Sequence, residues 1–166
     1  MATKPKLVNL ALQGGGSHGA FTWGVLDQIL EDGRLKIAGI SGTSAGAMNA
    51  VALADGYTRA GPDGAREALD KFWRCMSEGV RNSPLKRTPY DQLTGYWGLD
   101  RNPLYHMMDA VTRIASPYQL NPMNKNPLRD LLEDSIDFEM VRNCTAFKLY
   151  ISATNVETGK VRVFPR

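Results

Sequence analysis

The chain has 166 residues, of which 43% are hydrophobic and 22% charged, with a formal net charge of +3. That is enough for one domain with an ordinary globular core, and so mild a positive charge leaves no electrostatic footprint for nucleic acid. Two cysteines, Cys75 and Cys144, make neither a disulfide framework nor a metal-ligand spacing, the N-terminal residues lack an apolar signal stretch, and no run approaches the roughly 20 apolar residues of a membrane span. The expectation is a cytoplasmic protein without metal or cofactor, with transient contact at a membrane surface left open.

In chain order, Leu7–Leu12 reads as a buried strand. It runs into Gln13-Gly14-Gly15-Gly16-Ser17-His18-Gly19, and then into a helical pattern over Gly19–Asp32 that stops at Gly33. Ile37–Ile40 is a second strand. It leads through Ser41 to Gly42-Thr43-Ser44-Ala45-Gly46 and a small-residue helix over Ala45–Tyr57, with Asp55-Gly56 read as its end. These elements predict a βαβα unit with a parallel strand pair. Pro62-Asp63 starts a polar helix reaching about Ser77, and Glu78–Asp100 reads as a long irregular insert with a basic run at Arg81, Lys86 and Arg87. Pro103 opens a helix to Ile114, the stretch 116–126 is a proline-bearing loop, and Asn126 caps a helix from Pro127 to Glu133. A strand over Phe147–Thr154 turns at Glu157-Thr158-Gly159-Lys160 into a second hairpin arm over Val161–Arg166.

Ser44 is the residue with the clearest chemistry. A G-x-S-x-G turn between strand and helix holds the serine so that its hydroxyl projects, and the flanking Gly42 and Gly46 remove Cβ atoms that would clash. The N-terminus of the following helix favours negative charge developing at that serine. Upstream, the run Gly14-Gly15-Gly16 entering a helix aims several backbone N–H groups one way. Such a nest suits a phosphate or the oxyanion of an acyl-transfer intermediate. Gly14, Gly16 and Gly19 also fit the dinucleotide fingerprint. That motif expects a carboxylate at the end of the second strand to hold a ribose, and here the nucleophile turn stands in its place.

The two glycine motifs, each in a strand–loop–helix setting, resemble those of the patatin-like phospholipase family. The similarity is specific over Leu7–Ala54 and weaker through Tyr150–Asn155. The resemblance implies a three-layer α/β/α fold with a mostly parallel central sheet. It implies a lipid acyl hydrolase, of phospholipase A or esterase type, that uses a Ser–Asp dyad and takes a lipid or acyl ester as substrate. By the same resemblance Ser44 is the nucleophile, and the amides of Gly15 and Gly16, with Gly14, form the oxyanion hole. The sequence departs from the family in two places. His18 stands where an arginine or lysine is common, which makes it either an electrostatic helper or a plain loop residue. The dyad aspartate of an Asp-Gly-Gly or Asp-Gly-Ala motif is expected downstream of residue 166. The one Asp-Gly-Ala present, Asp63-Gly64-Ala65, reads as a helix start. A chain ending on a strand and on Arg166 therefore reads as one patatin-like domain over 1–166 that is shortened or nicked, with a second polypeptide carrying any remainder.

Residues 78–126 form the candidate insert or cap region. Tyr90, Tyr96, Trp97, Leu99, Leu104, Tyr105, Met107, Met108, Tyr118 and Met123 make it soft and apolar. Such residues suit an acyl-chain lid, and equally suit packing of the insert onto the sheet. Two further readings stay open. One is an α/β-hydrolase triad in the order Ser44, Asp91 or Asp100, His106, although that fold puts its elbow after more than two strands. The other is a non-catalytic lipid- or anion-binding module on the same scaffold.

Overall fold

The structure is a computed structural model. It describes residues 4–81, 89–96, 98, 101–114, 123 and 125–166. The chain forms two compact units, Met1–Cys75 with Leu131–Arg166, and Met76–Asp130.

The first unit is built on a four-stranded sheet in the order β1 (Lys6–Leu12), β2 (Leu35–Thr43), β3 (Lys148–Thr154), β4 (Val161–Pro165). β1, β2 and β3 are parallel and β4 is antiparallel to β3. The sheet is mixed and mostly parallel with helices alongside, as expected for this α/β class. β1 passes through a 3₁₀ turn at Gly16–His18 into α1 (Gly19–Asp32). Gly33 closes α1 in the left-handed conformation at φ 66°, its N–H on the Ile29 carbonyl.

β2 extends beyond its apolar run at both ends, and a bulge sits inside it. Val8 pairs with Ile37 but Asn9 pairs with Gly39, so Ala38 is the extra residue. Side chains alternate along a strand, and Ile37 and Ile40, three apart, would otherwise point to opposite faces. The bulge resets the alternation, and both are buried.

α2 (Ala45–Arg81) is two helical segments joined at a sharp break. Ala60 and Gly61 have non-helical dihedrals, and Gly61 takes φ 64° immediately before Pro62. The expected end at Asp55-Gly56 is corrected: both residues lie inside the first segment. Gly56 is there for packing. A Cβ on it would meet the Ala68 Cβ at 2.6 Å and the Gly64 carbonyl, and one on Gly64 would meet the Ala60 Cβ at 2.9 Å. The two segments thus approach backbone to backbone at Gly56 and Gly64. Asp55 is buried too, and accepts from Arg59 Nε at 2.8 Å and from the Asp137 amide at 3.4 Å. At the surface, Arg66 donates to Asp27 at 2.8 Å and tethers the second segment to α1. That hydrogen bond, with the charges of Asp27 and Glu31, raises the Arg66 guanidinium above its ordinary range against the opposing effect of burial.

The core of this unit joins Leu26 of α1, Ile37 and Ile40 of β2, Leu53, Leu69 and Phe72 of α2, and Leu149 of β3. Full burial of side chains of this size contributes about 1.5–3 kcal/mol each. At the far end of the chain Asn155 organises the β3–β4 turn. Its Oδ1 accepts from the amides of Glu157 at 3.0 Å and Thr158 at 2.9 Å, and Gly159 supplies φ 67°.

Within the stretch Glu78–Asp100, expected to be irregular, the described residues are partly helical. α2 continues to Arg81, and a short helix, α3 (Pro89–Leu93), follows. In the second unit Asp91 of α3 is buried, with Arg101 Nη1 at 3.8 Å, and the Arg101 guanidinium lies 4.2 Å from the Tyr96 ring centroid. Asn102 accepts from the Leu104 amide at 2.9 Å at the start of α4 (Pro103–Ile114). α5 (Pro127–Ser135) has the expected Asn126 cap, which accepts from the Arg129 amide at 3.1 Å. α6 (Phe138–Asn143) has no counterpart among the expected elements, and Asp137 caps it with bonds from the amides of Glu139 and Met140. Lys86, Arg87, Trp97, Leu99, Asp100, Tyr118 and most of the 116–126 loop lie outside the described residues. Among the described residues no helix is long and apolar enough to cross a membrane.

The glycine contact in α2 is directly testable. Gly56→Ala is expected to cost about 1–3 kcal/mol, because neither backbone can yield easily. Gly24→Ala, where an added Cβ meets nothing within 4 Å, is expected to stabilise by about 0.5–1 kcal/mol. Urea unfolding of the two variants checks both signs.

Candidate active site

Ser44 is the single residue between the end of β2 and the start of α2. It has φ 53°, and among the described residues it is the one non-glycine with positive φ. An L-residue held there costs about 1–2 kcal/mol, and the surroundings leave it no relaxed alternative. The Ser44 carbonyl already accepts the first helical bond, from the Met48 amide at 3.1 Å. A Cβ on Gly42 would lie 2.8 Å from the Ala47 amide nitrogen, and one on Gly46 would lie 2.6 Å from the Leu12 carbonyl carbon. The first turn of α2 therefore rests on the end of β1, and both elbow glycines are sterically required. Ser44 is exposed, and among the described residues no hydrogen bond reaches its hydroxyl.

The glycine-rich loop lies against this serine. A Cβ on Gly14 would sit 3.0 Å from the Ser44 Cβ, 3.8 Å from its Oγ and 3.2 Å from the Thr43 carbonyl. Gly15 takes φ 150° and Gly16 takes φ 58°, conformations that turn the backbone sharply before α1. A Cβ on Gly16 would meet nothing within 4 Å, so backbone conformation alone demands glycine there. His18 folds back onto the loop. Its amide donates to the Gly15 carbonyl at 3.2 Å, and its Nδ1–H to the same oxygen at 3.0 Å. A carbonyl only accepts, so Nδ1 carries the proton and Nε2 is the ring atom left for other partners.

Two polar clusters beside the elbow have no place in the sequence reading. Asn49, one turn into α2 and fully buried, donates from Nδ2 to the Gly19 carbonyl at 2.9 Å. Its Oδ1 accepts from Trp73 Nε1, also at 2.9 Å. The available signal is an amide at helical spacing from Ala45 and Leu53, on a face otherwise made of buried small and apolar residues. The second cluster comes from strand register. Thr43 pairs with Ser152, their hydroxyls are hydrogen-bonded, and Ser152 Oγ also donates to the Gly42 carbonyl at 3.3 Å. No local pattern could have brought residue 152 to the elbow.

Of the residues of the alternative triad, Asp100 lies outside the described residues, and Asp91 and His106 belong to the second unit. Asp91 is buried beside Arg101, and the His106 ring packs edge-on against Tyr105 with centroids 5.8 Å apart. Asp63 is exposed, and the Gly64 that follows it serves the α2 packing contact. Among the described residues no group of three or more His, Cys, Asp or Glu side chains is placed to hold a metal.

The strain at Ser44 predicts a separable stability effect. Ser44→Gly is expected to be more stable than Ser44→Ala by about 1 kcal/mol, since only glycine relieves the left-handed backbone. Unfolding midpoints of the two variants measure the difference.

The profile of the patatin-like phospholipase family matches residues 10–162. No curated protein matches the chain. Two solved structures of the ExoU–SpcU complex from the type III secretion system of Pseudomonas aeruginosa are similar over 98% of this chain, at 20% and 21% identity and TM-scores of 0.38 and 0.39. The matches take in 33% and 35% of those chains, so this chain spans about a third of their length. The family match takes in both glycine motifs and the elbow serine, and the chain belongs to the patatin-like phospholipase family.

Proposed function

We propose that this chain carries the nucleophile and oxyanion loop of a serine lipid acyl hydrolase. Members of its family are typically lipid acyl hydrolases, and that supports the broad reading. The observation that carries the finer one is Ser44 itself: a strained serine, exposed, at a helix N-terminus, with Gly14 of the glycine-rich loop against it. Strain of this kind persists only where surrounding structure over-determines it, and it clusters at active sites.

In this reading Ser44 Oγ attacks the carbonyl carbon of an acyl ester and its proton passes to an aspartate expected beyond Arg166. The carbonyl oxygen becomes an oxyanion facing the amides of Gly14, Gly15 and Gly16. Amides held by a folded loop need no reorganisation as that charge develops, and losing one such donor costs about 10²–10³ in rate. The alcohol half of the ester leaves with the proton, and water then hydrolyses the acyl-enzyme. With Nδ1 bonded to Gly15, an electrostatic-helper role for His18 would run through Nε2.

The test is a fluorophosphonate probe followed by intact mass and peptide mapping, with hydrolysis of p-nitrophenyl esters and phospholipid vesicles measured in parallel. One adduct on Ser44, absent in a folded Ser44→Ala variant that also loses hydrolysis, is the expected result. Equal labelling or equal turnover in Ser44→Ala removes Ser44 from the nucleophile role. Vesicle binding without labelling or turnover would instead favour a non-catalytic lipid-binding module.

A further inference from the structure

The glycine-rich loop and the nucleophile turn come from different strands, and an oxyanion hole works only if their separation is held closely. β1 and β2 pair only as far as Leu12 and Gly42. Beyond that point the loop over residues 13–18 is carried by its own turns, so the next connection determines where it lies. That connection is Asn49. Its Nδ2 donates to the carbonyl of Gly19, the residue where the loop becomes α1, and its Oδ1 accepts from Trp73 Nε1. Both contacts measure 2.9 Å.

The surroundings are as tight as the polar bonds. A Cβ on Gly19 would meet the Ala45 Cβ at 2.8 Å and the Trp73 ring at 2.9 Å. Ala45 directly follows the nucleophile, and Gly14, at the other end of the loop, meets Ser44 itself. The loop is therefore held at both ends against the same helix terminus. One end is held by shape alone and the other by a fully buried amide.

We propose that Asn49 is a positioning residue that fixes the glycine-rich loop against the nucleophile helix, with Trp73 orienting its side chain. Its side-chain hydrogen bonds go to Gly19 and Trp73 and none to Ser44. The amide suits the task because a carbonyl oxygen has a second lone pair beyond the one its own helix uses and Trp73 Nε1–H needs an acceptor, and one buried asparagine serves both in one plane. Leucine would fill the volume, leave Trp73 Nε1–H without its acceptor and remove the bond from α2 to the Gly19 carbonyl. Aspartate would keep the acceptor and turn an oxygen toward the carbonyl. The role assigned to the loop rests on the reading of Ser44 as nucleophile, while the positioning itself does not.

Two readouts on Asn49→Ala, Trp73→Phe and Asp55→Asn separate positioning from general stability. Asp55 is a comparably buried polar residue of the same helix, but its partners are Arg59 and Asp137, and it makes no bond to the loop. In fluorophosphonate labelling, an oxygen–phosphorus bond forms at Ser44, fluoride leaves and the Oγ proton is lost. The maximal labelling rate is expected to fall about 10- to 100-fold in Asn49→Ala with probe affinity retained, less in Trp73→Phe, and not at all in Asp55→Asn well below its unfolding temperature. Native-state hydrogen exchange of the amides of residues 14–19 is expected to speed up about tenfold or more in Asn49→Ala and to be unchanged in Asp55→Asn. The exchange readout stands even if the wild-type chain does not label, which would overturn the nucleophile reading alone. Wild-type exchange in Asn49→Ala, or rate losses that follow stability equally in all three variants, would overturn the positioning role. Should Asn49→Ala not fold, unchanged loop exchange in Trp73→Phe would overturn it as well.

Discussion

The contact on which the rest of this fold depends is the seating of the first turn of α2 against the end of β1. Gly46 lies so close to Leu12 that its missing Cβ would overlap the Leu12 carbonyl, and a Cβ on Gly42 would lie 2.8 Å from the Ala47 amide nitrogen. With the helix pressed onto the strand end in this way, one residue must make the whole change of direction between β2 and α2. That residue is Ser44, and its left-handed backbone is the geometric result. The helix N-terminus, the exposed hydroxyl and the adjoining glycine loop all follow from this one approach.

The cost of the strain is borne by burial elsewhere in the unit. α2 is held along its length by Leu53, Leu69 and Phe72 and by the Gly56–Gly64 approach of its two segments. None of these touches Ser44, yet each restrains the helix whose first turn sets the elbow. Asn49 lies between the two groups of contacts. It shares the buried face of α2 and reaches across to the loop, so packing and site geometry meet in one side chain. On the other side of the elbow, the Thr43–Ser152 hydroxyl pair ties β2 to β3 where the serine leaves the sheet.

Much of the first unit was legible in residue order. The glycine clusters, the βαβα unit, the break at Pro62, the Asn126 cap and the terminal hairpin all rest on short-range chemistry: turn conformations, capping and periodicity. The errors have physical causes of their own. Asp55-Gly56 resembled a helix end because glycine is a poor helix former, but helix–helix contact outweighed propensity there. The bulge at Ala38 was invisible because it answers to pairing with β1. α6 was missed because a six-residue helix carries too little periodicity to register, and its Asp137 cap is evident only once the amides it accepts from are known.

For the site itself, the sequence by itself determined the identities that chemistry needs: a serine between two glycines at a strand–helix junction, and a triple-glycine loop at another. Spacing and residue type suffice for these because each motif is local. The parallel strand pair that makes the two motifs neighbours was also legible; tertiary structure alone decided how closely Gly14 meets Ser44 and that Asn49, Trp73 and Ser152 stand around them. The bonds they make, Asn49 to Gly19 and Trp73, and Ser152 to Thr43, come from helix packing and strand register between separate segments. Pairings of that kind leave no mark in any local window of sequence.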